Sequence, residues 1–242
     1  MTALDSLAPP VTDVPAQGLA SAAFSLARRF AAGSSLWCVA PKWPAHGRHI
    51  AVEFVHPVIM GKRALPALNV EGADTIKALR LMARAGDAVV VVSTHDDPVS
   101  IELLRRAEAW GLTRIWLGAG QPPSSGLAEH VVWLNNTEPN WAARSGDMVL
   151  MYHLLWELTH VVLEHKGLLD VAPECADEIC ITCSDQGQVA EVQSAPTQGL
   201  VEVLVAGSRA TVDASLVDNV TPGDLLLVHA GVALAMLAER ER

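Results

Sequence analysis

Cations are scarce in this 242-residue chain: 17 Lys and Arg stand against 27 Asp and Glu, a formal net charge of −10. Nucleic-acid phosphates must be neutralised by a stripe of Lys and Arg. No such stripe occurs, which excludes DNA and RNA as expected partners. Long apolar runs are missing too. Segments such as Ala88-Val-Val-Val-Val92 fall far short of the ~20 residues that a membrane helix needs, so no membrane span is expected. The opening Met1-Thr-Ala-Leu-Asp-Ser6 lacks the basic cluster and apolar stretch of a secretory signal, which makes a cytoplasmic location the expectation. Cysteine is confined to positions 38, 175, 180 and 183. The clustering of the last three suits metal or thiol chemistry in a reducing compartment better than a disulfide framework. Aromatics make up only 5 % of residues, and none follows Trp156.

Hydrophobic residues reach 50 % and charged residues 18 %, a composition that can bury a full core. The length allows one large domain or two small ones. Residues 1–166 hold 14 Lys and Arg against 15 Asp and Glu, whereas residues 167–242 hold 3 against 12. Acidity in the tail and aromatics confined to the front describe two domains. Residues 1–16, rich in Pro, Ala and Thr, form an expected frayed arm.

Over residues 17–165 five short apolar segments, 36–40, 65–70, 88–92, 114–117 and 131–134, read as strands buried on both faces. Helical spacing marks 17–32, 46–55, 75–85, 98–110 and 146–164. The alternation predicts an α/β domain with a doubly wound, five-stranded parallel sheet. Residues 166–178, polar and acidic with one proline, make the expected linker. Over 179–242 short β-type segments separated by Gly- and Pro-bearing turns predict a small all-β barrel. The run Val232–Arg242 reads as a terminal helix.

The tail carries the most specific pattern. Cys180-Ile-Thr-Cys183 is followed by Gly187-Gln-Val-Ala-Glu-Val192, Val212-Asp-Ala-Ser-Leu-Val217 and Pro222-Gly-Asp-Leu-Leu-Leu-Val-His-Ala-Gly-Val-Ala233. These residues resemble the HypC/HupF family of nickel–iron hydrogenase maturation chaperones. The resemblance implies an OB-like barrel that carries iron bearing cyanide and carbon monoxide from a HypD-type scaffold protein to the hydrogenase large-subunit precursor. It also implies Cys180 and His229 as the iron ligands. That pair suits the cargo, since low-spin iron favours a thiolate and a neutral imidazole is a fitting second donor. Two protein ligands, unlike a closed four-ligand cage, also leave the iron free to be handed over.

The chain departs from the family pattern in two ways. Cys180 lies deep inside a fused chain instead of following the initiator Met, so a free amino group beside the thiol would require cleavage before it. A second thiol, Cys183, intervenes where the family commonly has Pro-Gly. Other readings of these residues stay open. Cys180-x-x-Cys183 could be a redox pair, although β-type sequence follows where such chemistry favours a helix N-terminus. Cys175, Cys180, Cys183 and His229 could together hold a structural zinc. His229 could simply be a strand histidine bonded to backbone.

The front domain resembles the sugar-isomerase (SIS) family, in particular its phosphoheptose-isomerase branch. The residues that carry this are His49-Ile-Ala-Val-Glu-Phe54, Leu65-Pro-Ala67, Gly86-Asp-Ala-Val-Val-Val-Val-Ser-Thr94 and His153-Leu-Leu-Trp-Glu157. The resemblance implies that His49, Glu53 and His153 match the branch's metal or acid/base positions, with Ser145 near a fourth position that is a Gln in the family. His49 and Glu53, four apart on an expected helix, share a face. They form either a hydrogen-bonded polar cluster with His153 or a residual metal site.

The first phosphate loop of the family is replaced by Ala40-Pro-Lys-Trp-Pro-Ala-His-Gly47, whose prolines cannot supply a ring of N–H donors. The second keeps Ser93 and Thr94 but continues with His95-Asp-Asp97, whose carboxylates would repel phosphate. The expectation is therefore a chaperone and metal carrier with no isomerase activity. Its SIS-like domain would serve as a platform for docking or for a homodimer or higher homo-oligomer, with the apolar segment 53–66 available for contact. The alternative is a phosphosugar isomerase or phosphosugar-binding regulator with an accessory barrel.

Overall fold

A computed structural model describes residues 15–57, 61–134, 146–169 and 187–238. Helix α1 (Ala16–Ala31) buries Leu19, Ala22, Ala23, Leu26, Ala27 and Phe30, the three- and four-residue spacing that turns one stripe inward. It ends just before Gly33, whose φ of 86° is the left-handed conformation that commonly closes a helix. Strands β1 (Leu36–Val39), β3 (Ala88–Val92) and β4 (Thr113–Ala119) are buried along their whole length. β2 (Ala67–Asn69) and β5 (His130–Leu134) flank them in the order β2-β1-β3-β4-β5, every pair parallel. This is the five-stranded sheet that the alternation predicted.

Both faces of the sheet are covered. Helices α1, α2 (Pro44–Val55) and α5 (Gly146–Glu164) pack Leu26, Ile50, Phe54, Met148 and Leu155 against Val90 and Ile115. On the other face α3 (Thr75–Met82) and α4 (Pro98–Ala109) bring Leu79, Leu103 and Leu104 onto Val89, Val91 and Trp116. Element ends move for local reasons. α2 starts two residues early because Pro44, which lacks an N–H, is well suited to the first turn. β2 is shorter than 65–70 because Pro66 cannot donate to a ladder. Within the expected linker, Lys166–Leu169 forms a single helical turn, α6.

The second unit is a closed barrel of β6 (Gln188–Val192), β7 (Leu200–Val205), β8 (Ser208–Asp213), β9 (Leu225–His229) and β10 (Val232–Ala238), in the order β10-β8-β7-β6-β9. Alternate residues Ala190, Val192, Val201, Val203, Leu226 and Val228 fill its interior, an all-aliphatic core without an aromatic. The expected terminal helix is corrected here: Val232–Ala238 is a strand paired antiparallel with β9. The Val-Ala-Leu-Ala-Met-Leu-Ala composition favours a helix locally. Ala230 and Gly231, however, both adopt positive φ (48° and 80°), the two-residue turn that returns a chain as a hairpin. Residues 239–242 lie outside the described residues.

The two units are joined through a buried carboxylate. Glu191 on β6 accepts from Arg106 Nη1 at 3.0 Å, Arg80 Nε at 2.9 Å and Trp110 Nε1 at 3.0 Å. Arg106 also donates to the Gly223 carbonyl at 2.8 Å, and Val189 and Leu204 pack beside Trp110. The β7–β8 hairpin tip seats against the end of α4, where the Gly207 N–H donates to the Ala109 carbonyl at 2.8 Å. Side chains are excluded at this contact. A Cβ on Gly111 would meet the Ala206 carbonyl oxygen at 2.7 Å, and one on Gly207 the Trp110 carbonyl oxygen at 2.9 Å.

Arg106 also holds Glu102 Oε1 at 2.6 Å, so removing Glu191 strands the buried Trp110 N–H and one Arg106 N–H without leaving the guanidinium unpaired, at a cost of about 1–3 kcal/mol for each stranded group. Glu191→Ala is therefore expected to accelerate exchange of the Gly207 amide by roughly ten- to hundred-fold. Unchanged exchange, measured by NMR, would show that the seam does not depend on this carboxylate.

Candidate functional site

In an open parallel sheet, ligands bind where the strand order reverses, beyond the carboxyl ends of the strands. Here that point lies between β1 and β3. Lys42, after β1, reaches across it to Asp97 Oδ1 at 3.4 Å. Asp97 is the N-cap of α4, and its other oxygen accepts from the Ser100 N–H at 2.9 Å and the Ser100 hydroxyl at 2.7 Å. A helix N-terminus is a natural anion site, and at α4 the protein's own carboxylate fills it.

Ser93 is fully buried and its hydroxyl accepts from Trp116 Nε1 at 2.8 Å, so it faces the core and not the crevice. The Thr94 hydroxyl is buried with no partner in hydrogen-bonding geometry among the described residues, and its closeness to Asp96 is the main cause of an Asp96 carboxyl held below its ordinary range. The sequence pattern alone identified the carboxylates of this loop. It did not identify Lys42 as their partner, although Asp97-Pro98 ahead of an apolar periodic run is a recognisable capping signal.

The second constellation joins α2 to α5. His49 Nε2 lies 3.2 Å from Glu53 Oε1 and 3.3 Å from His153 Nε2, and His153 Nε2 lies 3.7 Å from the same Glu53 oxygen. All three residues are partly buried. In a tetrahedral site with bonds near 2.1 Å, donor atoms sit about 3.4 Å apart. Two imidazoles and one carboxylate at these separations therefore fit a divalent cation with an open position. Ser145, expected near a fourth position, lies outside the described residues.

Two neighbours escaped the sequence analysis. The Tyr152 hydroxyl stands 2.7 Å from His49 Nδ1 and 3.5 Å from His46 Nδ1. Burial, reinforced by the Glu53 charge, pushes the Tyr152 phenol up to about 12. Its only local signal was that it is the chain's single tyrosine and precedes His153.

In the barrel, His229 ends β9 and is partly buried. Its neighbour Val228 pairs with Gln188, the first residue of β6, while Leu226 and Val228 point inward. Because side chains alternate along a strand, His229 stands on the outer face, beside the point where the chain enters the barrel. Cys175, Cys180 and Cys183 lie outside the described residues. Cys38 is fully buried in β1, and desolvation pushes its thiol well above the ordinary range. It is an inert core residue.

Residues 184–242 match the sequence model of the HupF/HypC family. The front of the chain is similar in structure to a phosphoheptose isomerase from Francisella tularensis, at 16 % identity and a TM-score of 0.53, covering 62 % of this chain and 88 % of that one. A phosphoheptose isomerase from Neisseria gonorrhoeae aligns at 20 % identity and a TM-score of 0.46, covering 59 % and 86 %. Among curated proteins none matches significantly.

The trio yields a direct expectation. Cobalt(II) or zinc should bind with a stoichiometry of one per trio by calorimetry, and Glu53→Gln or His153→Ala should weaken it at least tenfold. Equal binding by both variants would remove the trio as a cation site.

Proposed function

With a C-terminal module that matches the HupF/HypC family and an N-terminal module built on the sugar-isomerase fold, we propose that this protein is a hydrogenase maturation chaperone with a fused docking platform. Its cargo is iron bearing cyanide and carbon monoxide, held between the Cys180 thiolate and the His229 imidazole. The iron is received from a HypD-type scaffold and delivered to a nickel–iron hydrogenase large-subunit precursor in the cytoplasm. The SIS-like module serves as the platform and as a self-association surface. The protein acts as a carrier and not as an isomerase.

The observation that carries this reading is the register of the barrel. Gln188 pairs beside His229, and Cys183 and Cys180 stand five and eight residues before Gln188. An extended chain spans at most about 3.5 Å per residue, so Cys183 has a reach of about 17 Å and Cys180 of about 28 Å from that point. The chain is therefore long enough for either thiol to approach the imidazole. A soft thiolate and one imidazole hold such an iron while leaving positions open for the receiving protein.

The second reading, a phosphosugar isomerase or regulator, is favoured by the His49–Glu53–His153 trio. The crevice opposes it, because Asp97 occupies the α4 N-terminus and Ser93 is committed to Trp116. A phosphosugar added at millimolar concentration should leave the thermal midpoint unchanged. Stabilisation or turnover would revive the isomerase reading.

Substitution separates the roles of the thiols. In cells dependent on this chain, Cys180→Ala and His229→Ala should abolish hydrogenase activity and leave the large subunit unprocessed, while Cys183→Ala should have a milder effect. Equal, complete loss on substituting either cysteine would indicate a Cys-x-x-Cys device or a structural zinc instead of a two-ligand carrier.

A further inference from the structure

We propose that Tyr152 is a positioning residue for His49: its hydroxyl can accept from Nδ1–H and so support the tautomer that turns the Nε2 lone pair toward a divalent cation held by the His49–Glu53–His153 trio. The inference concerns the SIS-like module and is independent of the cargo assigned to the barrel. It rests only on the trio as a cation site.

Both ring nitrogens of His49 are engaged. Nδ1 lies 2.7 Å from the Tyr152 hydroxyl, while Nε2 lies 3.2 Å from a Glu53 oxygen and 3.3 Å from His153 Nε2. A neutral imidazole has one N–H and one lone pair, and an ionised carboxylate only accepts. Without a cation the N–H therefore belongs on Nε2, donated to Glu53, and Nδ1 accepts from the Tyr152 O–H. Nε2 has no lone pair to offer in that state.

Cation binding through Nε2 requires the opposite tautomer. The proton must sit on Nδ1, where it can only be donated to the Tyr152 oxygen. The phenol hydrogen must then turn away, and His46 Nδ1 at 3.5 Å is placed to accept it. A hydroxyl serves both states because it donates in one and accepts in the other. The charges balance: His49 stays neutral, one proton moves from Nε2 to Nδ1, and Tyr152 keeps its own proton.

Packing makes Tyr152 a fixed partner. It is 1 % exposed within the core shared by α1, α2 and α5. Its ring meets those of His49 and His46 edge-on, with centroids 5.2 and 5.8 Å apart. An outer partner that holds a metal-bound histidine in its tautomer typically accounts for roughly 10–100-fold in metal affinity.

The test uses the full chain and cobalt(II) or zinc alone. Tyr152→Phe keeps the ring and removes only the hydroxyl. It should weaken cobalt binding roughly 10–100-fold, read from the visible d–d absorption and from calorimetry, with the circular dichroism spectrum unchanged. Nitrogen-15 shifts of His49 in the unsubstituted protein provide a readout that does not depend on the variant folding. They should report Nε2–H without metal and Nδ1–H with zinc. Cobalt affinity in Tyr152→Phe within twofold of wild type, or a His49 tautomer unchanged by zinc binding, would overturn the assignment. Failure of the unsubstituted chain to bind either ion would overturn it at the level of the trio, while leaving the barrel's role untouched.

Discussion

The carboxylate of Glu191 holds the two halves of the chain in register. It is nearly excluded from water and takes donors from α3, from α4 and from the Trp110 indole. An ion in such surroundings is tolerable only when every partner is in place, so the contact selects one orientation of the barrel instead of merely adding attraction. The β7–β8 hairpin enforces the same choice sterically, since Gly207 and Gly111 leave no room for a side chain at the point of contact. The barrel is seated on α4 and not tethered beside it. The row Leu225, Leu227 and His229 on β9 then continues the outer face on which Val189 and Glu191 meet the front module.

This arrangement is compatible with the proposed role of the front domain as a platform. Helix α4, which in an open parallel sheet would offer its N-terminus to a ligand, carries Asp97 as a built-in anion at one end and the barrel at the other. The Ser93 hydroxyl is taken up by Trp116 within the core. Between α2 and α5 the His49–Glu53–His153 constellation has a donor geometry suited to a cation.

Much of the architecture could be read from the sequence because it is periodic. The five central strands are continuous apolar runs, and their helices carry stripes at three and four residues. His49 and Glu53 were legible as a pair because one helix turn separates them, and His153 joined them through resemblance. The elements that escaped detection are those that depend on distant partners. Arg80, Arg106 and Glu191 lie 85 to 111 residues apart in their pairings, and no local pattern marks such a contact. Tyr152 was invisible for the same reason, because its partners His49 and His46 lie 103 and 106 residues away in the sequence. Val232–Ala238 was misread because its residues favour a helix in isolation, whereas the left-handed pair Ala230-Gly231 and the waiting edge of β9 decide for a strand.

The central claim is that a thiolate and an imidazole, drawn from opposite ends of the tail module, share one iron carrying diatomic ligands. Infrared spectroscopy of the full chain, purified without oxygen from cells that make its partners, tests this most directly. The account predicts cyanide and carbonyl stretching bands that copurify with the protein and vanish in Cys180→Ala. Bands absent from the unsubstituted protein, or persisting after that substitution, would contradict it.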